Sequence, residues 1–312
     1  MSGKIIIDSD MAFGSPYADI DDSLAILTAF ALGLDVIGVN AVGGNVSADK
    51  ASRNIDNLLK RIGRGDVMHS FSSSEPLDPT LWVHERWSKS VEEKVDRKRY
   101  PSLPDSVTAL RREIDSVPGK VTIVTIGPMT NLASFIRTFP DYIPRIEAVY
   151  SMGGTINMHG VGNGPAEFNI KADPEAAGIV FSSLPVTLFP LDVTKKKKIY
   201  PETIEKWSDQ KGLIHDLYEA SVSFMDYRAK RDGYTPSYAF YHDVLPIVGL
   251  VHPEYFSLLS CSVSVELNSG LTKGVTVVDR RGGNCRVAVD VDSEAVFSFV
   301  ENELIRAFGG AR

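Results

Sequence analysis

The segment Lys4-Ile-Ile-Ile-Asp-Ser-Asp10 begins with an apolar run of three isoleucines and ends with two aspartates. Such a run is typical of a buried strand in a parallel sheet. It places Asp8 and Asp10 at the carboxyl end of that strand, where open α/β sheets bind their ligands. Carboxylates this close repel one another, and they stay ionised only beside a positive charge. The segment therefore predicts a divalent cation with oxygen ligands in a catalytic position.

Short apolar runs alternate with helical patterns along the next part of the chain. The predicted strands are Lys4–Ile7, Asp35–Val39, Val121–Ile126, Ala148–Met152 and Pro185–Phe189. The predicted helices are Ser23–Leu32, Ala48–Ile62, Asn131–Thr138 and Pro174–Phe181. Ser47 and Asp173 suit the N-cap positions of two of these helices. Alternation of this kind implies parallel β-α-β units with right-handed crossovers.

The pattern changes after Leu258, where glycines separate three short strands. These predicted strands are Ser262–Leu267, Val275–Val278 and Val287–Val291, followed by a closing helix at Ser293–Phe308. We therefore predict an α/β fold with a single large domain over residues 1–312. Its mostly parallel, Rossmann-like open sheet is flanked by helices and gains antiparallel strands at the C-terminal end.

Two connections fit this scheme poorly. Phe71–Tyr100 is rich in serine, proline, tryptophan and charge, and it is expected to include a long surface excursion. Pro201–Tyr241 is predicted to be largely helical and carries several tyrosines. Long connections at the carboxyl end of a sheet often serve as lids or substrate walls.

The composition limits the class of protein. A chain of 312 residues with 43% hydrophobic residues can bury a large core. Its 33 basic and 40 acidic residues give a net charge of −7, which argues against a nucleic-acid-binding surface. Cys261 and Cys285 have no metal-binding spacing, and we assign them no redox role. Without a signal sequence or a long apolar run, we expect a soluble, cytoplasmic protein that does not bind membranes.

Acids, amides and glycines follow almost every predicted strand. They are Asp21-Asp22, Gly43-Gly44-Asn45, Ile126–Asn131, Met152-Gly-Gly154, Gly162-Asn163, Glu167-Phe-Asn169 and, in a later loop, His242-Asp243. Amide and carboxylate groups in such a ring can hydrogen-bond sugar hydroxyls, and glycine lets a ligand approach the backbone. Together they predict a polar pocket centred on a metal.

These motifs and their order resemble those of the inosine-uridine preferring nucleoside hydrolases. The resemblance runs nearly from end to end of the chain. Besides the aspartate cluster, it rests on Gly44–Ser47 with Arg53-Asn54, Ile126–Leu132, Met152–Gly154, Ala166–Ile170 with Asp173–Ala177, Pro190–Thr194, His242-Asp243, Thr272–Arg281 and Val287–Asp292.

The resemblance implies one Ca²⁺ at the floor of the pocket, where it also holds the ribose 2′- and 3′-hydroxyls. Its carboxylate ligands would be Asp10, Asp22 and Asp243, and the main-chain carbonyl of Ile126 would complete the protein ligands. Asp10 would also act as general base on the attacking water. Asp8 would support Asp10 from behind.

The resemblance also implies the substrate contacts. Asp21, Asn45, Glu167 and Asn169 would hold the ribose, with Met152 packed beneath it. The remaining expected contacts are Asn163, Phe168, Tyr234, Tyr238 and His84. The two tyrosines are also consistent with a packing role alone. By resemblance, the protein is expected to be a homodimer or a homotetramer.

The expected reaction is hydrolysis of the N-glycosidic bond of a ribonucleoside, which gives free base and ribose. Its transition state resembles an oxocarbenium ion, and anionic groups around the ribose favour that positive charge. The departing base must be neutralised, and His242 is the candidate acid because imidazole titrates near neutral pH. A purely structural role for His242 is the alternative.

The chain departs from the family pattern in three places. Met11–Ile20 separates Asp10 from the Asp-Asp pair by a longer gap than usual; we assign the pair to Asp21-Asp22, with Asp19 and Asp21 as the alternative. His84-Glu-Arg-Trp87 replaces a glycine-containing segment that helps to bind the base. Asn163 lies closer to Glu167 than usual. These changes alter the base end of the pocket and leave open which base is accepted.

Other functions are compatible with parts of the sequence. A strand that ends in Asp-x-Asp also suits a Mg²⁺-dependent phosphohydrolase with an aspartyl nucleophile. A nucleoside-binding protein with weak turnover would explain the altered loops. Lys195–Lys198 is expected to be a solvated surface turn, with a phosphate contact for a nucleotide substrate as the alternative.

Overall fold

The computed structural model describes residues 3–70, 77, 104–160 and 164–310. The predicted excursion at Phe71–Tyr100 lies outside these residues except for Leu77. Among the described residues, no helix combines the length and the apolar character needed to cross a membrane.

Nine strands of the described chain form one sheet. They are β1 (Lys4–Ser9), β2 (Val36–Ala41), β3 (Met68–His69), β4 (Val121–Thr125), β5 (Ile146–Met152), β6 (Val186–Phe189), β7 (Phe256–Val265), β8 (Thr276–Asp279) and β9 (Cys285–Val291). Their spatial order is β3-β2-β1-β4-β5-β6-β9-β7-β8. All neighbouring pairs are parallel except β7 with β8 and β7 with β9.

Eleven α-helices occur in the same described residues. They are α1 (Asp21–Ala31), α2 (Ala48–Arg61), α3 (Ser106–Asp115), α4 (Thr130–Thr138), α5 (Phe168–Ala172), α6 (Pro174–Ser183), α7 (Leu191–Thr194), α8 (Glu205–Ser208), α9 (Leu213–Asp232), α10 (Val244–Val251) and α11 (Ser293–Phe308).

The isoleucine run of β1 is apolar throughout because both faces of the sheet are covered. Ile5 and Ile7 belong to the core beneath α1, α2, α9, α10 and α11, whereas Ile6 belongs to the core beneath α3, α4 and α6. All three side chains are at most 1% exposed. Burial of each contributes about 1.5–3 kcal/mol to the free energy of unfolding. Within the sheet, β1 lies between β2 and β4, and Ile7 pairs with Val39 on one side and with Val124 on the other.

The strand order places a crevice at the carboxyl ends of β1 and β4. The chain first moves from β1 outward to β2 and β3, and it then returns to the other side of β1 with β4. Loops that leave β1 and β4 therefore diverge to opposite faces of the sheet. Open α/β sheets bind ligands at such a switch point.

The predicted fold class is confirmed, with differences at the ends of elements. The closing helix α11 has the predicted bounds, and Asp173 caps α6 by accepting a hydrogen bond from Ala176 N at 3.0 Å. Ser47 occupies the N-cap position of α2, but its side chain makes no capping hydrogen bond. β7 begins at Phe256, earlier than predicted.

The C-terminal strands are also arranged differently in one respect. β9 pairs in parallel with β6, so the antiparallel part of the sheet begins at β7. The apolar residues Val287 and Ala288 are fully buried because β9 lies between two other strands.

Two helical glycines provide a test of the packing between α10 and the sheet. A Cβ atom at Gly249 of α10 would lie 2.4 Å from Phe189 Cζ of β6, whereas a Cβ atom at Gly178 of α6 would have its nearest neighbour at 3.9 Å. We expect Gly249→Ala to lower the free energy of unfolding by about 1–3 kcal/mol through overpacking. Gly178→Ala should be neutral or stabilising by up to about 1 kcal/mol. Urea denaturation of both variants measures the difference, and equal midpoints would contradict this packing.

Candidate active site

Three buried carboxylates meet at the carboxyl end of the sheet. Oxygen atoms of Asp21, Asp22 and Asp243 lie within 4.8 Å of one another, and each residue is at most 4% exposed. Asp21 and Asp22 form the first turn of α1, and Asp243 is the N-cap residue of α10. Helix N-termini favour negative charge, so the two helices help to place this acidic triplet.

Asp10 follows β1 directly and lies beside the triplet. Its Oδ2 accepts a hydrogen bond from the backbone N–H of Asn45 at 2.5 Å, and its buried Oδ1 has no hydrogen-bond partner in the described part of the chain. Burial raises the pKa of Asp10 to about 7, with the Asn45 hydrogen bond opposing this shift and the charge of Asp21 adding to it. Burial and like charges, among them that of Asp10, also raise the pKa values of Asp22 and Asp243 well above normal.

This donor set fits a hard divalent cation. All the converging side-chain atoms are carboxylate oxygens, which Ca²⁺ and Mg²⁺ prefer. Within the residues that the structure describes, Asp10 Oδ1 is a buried acceptor without a partner, and the carboxylates raise one another's pKa values. An added positive charge would relieve both costs. Asp21, which the sequence placed against the ribose, lies within the triplet together with Asp22 and Asp243.

The residues assigned to the ribose form one connected group. Glu167 is the N-cap of α5, and its carboxylate accepts hydrogen bonds from the backbone N–H groups of Asn169 at 2.8 Å, Gly154 at 3.0 Å and Ile170 at 3.1 Å. Burial raises the pKa of Glu167, and these hydrogen bonds oppose the shift. Phe168, next in sequence, is half-buried.

Asn169 links this group to the end of β4. Its Nδ2 donates to the Ile126 carbonyl at 3.2 Å and lies 3.4 Å from the Met152 carbonyl. Asn45 is exposed, and its Nδ2 lies 3.5 Å from Asp22 Oδ2. The structure therefore joins Glu167 and Asn169 to the ends of β4 and β5, and it places Asn45 beside Asp22. His84 and Asn163 lie outside the described residues.

Two residues that support the acids were not predicted as cation ligands or substrate contacts. Ser9 Oγ donates to Asp22 Oδ1 at 2.6 Å, which fixes one triplet carboxylate to the end of β1. Asn131 Nδ2 donates to Asp8 Oδ1 at 2.7 Å and to the Ala41 carbonyl at 2.9 Å. Asp8 thus joins β1 to α4, and burial raises its pKa to about 7, with the Asn131 hydrogen bond opposing the shift and the charge of Asp10 adding to it.

His242 stands beside the triplet with a neutral ring. Its backbone N–H lies 3.3 Å from Asp21 Oδ2, and its Nδ1 lies 2.7 Å from Thr194 Oγ1. Burial, followed by the positive charges of Lys195 and Arg228, lowers the pKa of His242 to about 3. Protonation of the ring is therefore unfavourable at neutral pH.

A row of aromatic rings leads away from His242. The ring of Phe240 lies 5.7 Å from His242, Tyr238 lies 5.4 Å from Phe240, and Tyr234 lies 4.7 Å from Tyr238, measured between centroids. Tyr234 and Tyr238 are half-buried. They form a wall that begins at the candidate site.

The long connection between Asp10 and α1 is held at both ends. Met11 and Ile20 are buried, and Asn54 Nδ2 of α2 donates to the Met11 carbonyl at 2.9 Å. At its exposed tip, Tyr17 stacks on Tyr227 of α9 with centroids 5.1 Å apart. Because α1 begins after this connection, Asp21 and Asp22 occupy the first helical turn and Asp19 precedes it.

The chain is similar to known enzymes over nearly its whole length. Residues 5–298 match the sequence model of the inosine-uridine preferring nucleoside hydrolase family. The non-specific ribonucleoside hydrolase RihC of Salmonella typhimurium is 34% identical over 95% of each chain. The chain belongs to the inosine-uridine preferring nucleoside hydrolase family.

Solved structures agree with this membership. The plant nucleoside hydrolase PpNRh1 superposes with a TM-score of 0.79 at 26% identity, over 96% of this chain and 98% of that one. The purine-preferring ribonucleoside hydrolase from Gardnerella vaginalis has the same fold, with a TM-score of 0.82 at 24% identity over 98% and 99% of the two chains. The predicted family and enzyme class, an N-glycosidase, are confirmed. Nucleoside hydrolases depend on a metal ion, which agrees with the acidic triplet.

Gly44 tests whether the position of Asp10 matters for cation binding. A Cβ atom at Gly44 would lie 1.7 Å from Asp10 Oδ2, so alanine must displace this carboxylate. We expect Gly44→Ala to weaken Ca²⁺ binding by about 10–100-fold, as other changes next to metal ligands do. Titration calorimetry measures the affinity. Gly65→Ala is the control because its Cβ would lie 3.6 Å from its nearest neighbour. Wild-type affinity in a folded Gly44→Ala protein would contradict the expected coupling.

Proposed function

We propose that this nucleoside hydrolase cleaves the N-glycosidic bond of ribonucleosides with a resident Ca²⁺, giving free base and ribose. The observation that carries the proposal is the cluster of Asp21, Asp22 and Asp243 beside Asp10 Oδ1, a buried acceptor without a hydrogen-bond partner among the described residues. Its place at the switch point of the sheet is where such folds bind substrates. The name of RihC, a non-specific ribonucleoside hydrolase, supports this substrate class.

The protein ligands of the cation would be Asp10, Asp22, Asp243 and the Ile126 carbonyl, with Asp21 available from the same triplet. We favour Ca²⁺ over Mg²⁺ because Ca²⁺ accepts many carboxylate and carbonyl oxygens from the protein, whereas Mg²⁺ usually retains several waters. A cation held by these residues would supply Lewis acidity, which would make the attacking water easier to deprotonate.

Asp10 is the proposed general base. The Asn45 N–H holds Oδ2 in place, which leaves Oδ1 free to accept a proton from the attacking water. A group with one fixed oxygen and one open oxygen is oriented before the reaction starts.

The surrounding acids and amides would stabilise the sugar as it becomes positively charged. Asp10 and the acidic triplet are buried, and buried charges interact more strongly than charges in water do. The amides of Asn45 and Asn169 and the carboxylate of Glu167 are proposed to hydrogen-bond ribose hydroxyls, with Met152 beneath the ring. These contacts would hold the anomeric carbon near the carboxylates.

His242 is the proposed donor to the departing base. When the Thr194 hydroxyl donates to Nδ1, the proton of the neutral ring resides on Nε2, which can then donate a hydrogen bond. The aromatic wall that begins at Phe240 extends from the same side, where Tyr234 and Tyr238 would contact the base.

Ribose release tests the proposed function directly. We expect Ca²⁺-loaded protein to release ribose from common ribonucleosides and nitrophenolate from p-nitrophenyl riboside, and chelation to abolish both. Asp10→Asn should lower kcat by about 10²–10⁴-fold because the general base is lost. Asp66→Asn, at an exposed ion pair with Arg64, should keep wild-type activity. Binding of nucleosides without any turnover would refute the hydrolase proposal.

Substrates with different leaving groups distinguish the role of His242 from that of Asp10 and the acidic triplet. Nitrophenolate departs without help, so His242→Ala should lower kcat for natural nucleosides by about 10²-fold and affect p-nitrophenyl riboside far less. Thr194→Val should show the same selectivity because it removes the Nδ1 partner. His252→Ala, at the opposite end of α10, should not discriminate between the substrates. Equal losses on both substrates in His242→Ala would exclude a role for His242 at the departing base.

A further inference from the structure

A row of buried polar side chains crosses three neighbouring strands of the sheet. Asp8 of β1 pairs in register with Asn40 of β2 on one side and with Thr125 of β4 on the other. Side chains paired in this way point to the same face, and neighbouring strands lie about 4.8 Å apart. All three residues are at most 1% exposed. The row therefore brings a carboxylate, an amide and a hydroxyl together inside the protein.

Glu113 of α3 covers this row. Its Oε2 accepts a hydrogen bond from Asn40 Nδ2 at 2.8 Å, and the residue is fully buried. A Cβ atom at Gly38 of β2 would lie 2.2 Å from both Cδ and Oε1 of Glu113. Glycine at this position therefore lets the carboxyl group rest directly on the strand, two residues before Asn40 and on the same face of the sheet.

One oxygen of each of these four side chains lacks a hydrogen-bond partner among the described residues. The atoms are Asp8 Oδ2, Asn40 Oδ1, Glu113 Oε1 and Thr125 Oγ1. The second oxygen of each carboxylate is bound, by Asn131 in Asp8 and by Asn40 in Glu113. Buried polar atoms are rarely left without a partner, so four of them on neighbouring residues point to a bound ligand.

The charges of the cluster decide which ligand fits. Neither Asp8 nor Glu113 has an ion-pair partner in the part of the chain that the structure describes. Burial raises the pKa of Glu113 to about 8, with the Asn40 hydrogen bond opposing the shift and the charge of Asp8 adding to it. Buried carboxylates are therefore costly here unless a positive charge compensates them.

The balance of donors and acceptors points to the same class of ligand. Asp8 Oδ2, Asn40 Oδ1 and Glu113 Oε1 are acceptors only, and the Thr125 hydroxyl is the single donor of the set. A water molecule would supply two donors but no charge. A hard cation binds lone pairs of all four oxygens and also neutralises the carboxylates.

We propose that Asp8, Asn40, Glu113 and Thr125 form an internal binding site for a hard cation, Ca²⁺ or Na⁺, which share this oxygen chemistry. The internal site is distinct from the proposed catalytic Ca²⁺ site, because neither Asp8 nor Glu113 belongs to the acidic triplet. Its cation joins β1, β2, β4 and α3 behind Asp10. The inference goes beyond the proposed N-glycosidase activity and does not depend on it.

The number of bound cations tests the internal site. We would titrate Ca²⁺ into chelator-treated protein in tetramethylammonium chloride, and count the bound ions by calorimetry and native mass spectrometry. If the internal ion is Ca²⁺, the wild-type protein binds two ions per chain. Glu113→Gln, which keeps the side-chain volume, should then lose the internal ion, and Asp22→Asn should lose the catalytic one.

Thermal unfolding tests the monovalent alternative when only one Ca²⁺ binds. Near saturation, NaCl should raise the Tm of the wild-type protein by about 3–8 °C relative to tetramethylammonium chloride at the same concentration. Glu113→Gln should show no such difference between the salts. If neither a second Ca²⁺ nor a stabilisation specific to Na⁺ is found, the proposal is overturned, and the four oxygens hold water or protons instead.

Two further variants keep the test specific. Glu301 is also buried with an unpartnered Oε1 among the described residues, but Lys206 Nζ lies 3.2 Å from its Oε2. Glu301→Gln should therefore bind cations like the wild-type protein. Thr125→Val removes one ligand and should weaken the internal ion by about 10–100-fold, which decides the question if Glu113→Gln does not fold. Wild-type affinity in Thr125→Val and in any folded Glu113→Gln protein would contradict the internal site.

Failure of the internal site is distinguishable from failure of the proposed function. If ribose is released and the only bound cation is the one that Asp22→Asn removes, the N-glycosidase stands and the internal site falls. If no ribonucleoside is hydrolysed but Glu113→Gln abolishes binding of one cation, the internal site stands and the proposed function falls.

Discussion

Repulsion among buried carboxylates is the constraint on which this site depends. Asp10, Asp21, Asp22 and Asp243 are all buried at one end of the sheet, and burial with mutual repulsion raises their pKa values. Such a cluster is costly unless a positive charge compensates the repulsion, and for this reason it is typical of functional sites. The surrounding scaffold holds the acids at fixed positions: Ser9 binds Asp22, the Asn45 backbone binds Asp10, and two helix N-termini present the triplet.

Much of the fold was predictable because its main signals are local in sequence. The isoleucine run indicated a strand buried on both faces, and its two neighbours and opposite cores bear this out. The parallel pairing of β9 with β6 was not predictable from periodicity, since a buried apolar strand has the same pattern in either direction. The start of β7 was missed because Ser257 and Ser260 interrupt its apolar residues.

The candidate site also contains residues that were predictable from the sequence and residues that were not. Its acids and amides were predictable from motifs at strand ends, whereas their supports depend on contacts between distant segments. Asn131 reaches Asp8 across 123 positions, and Thr194 reaches His242 across 48. The lysine run was expected to be a surface turn because four adjacent cations are usually solvated. Only the placement of Asp290, Glu294 and Tyr238 shows that its members have different surroundings.

The stack of Tyr17 on Tyr227 has a thermodynamic consequence for cation binding. Tyr17 belongs to the connection that starts at Asp10 and ends at Asp21, and Tyr227 neighbours Arg228 on α9. The stack therefore joins α9 to a segment that is flanked at both ends by carboxylates of the site. By linkage, a substitution of Tyr17 that destabilises the cation-bound protein more than the cation-free protein lowers the affinity for the cation by that same difference in free energy.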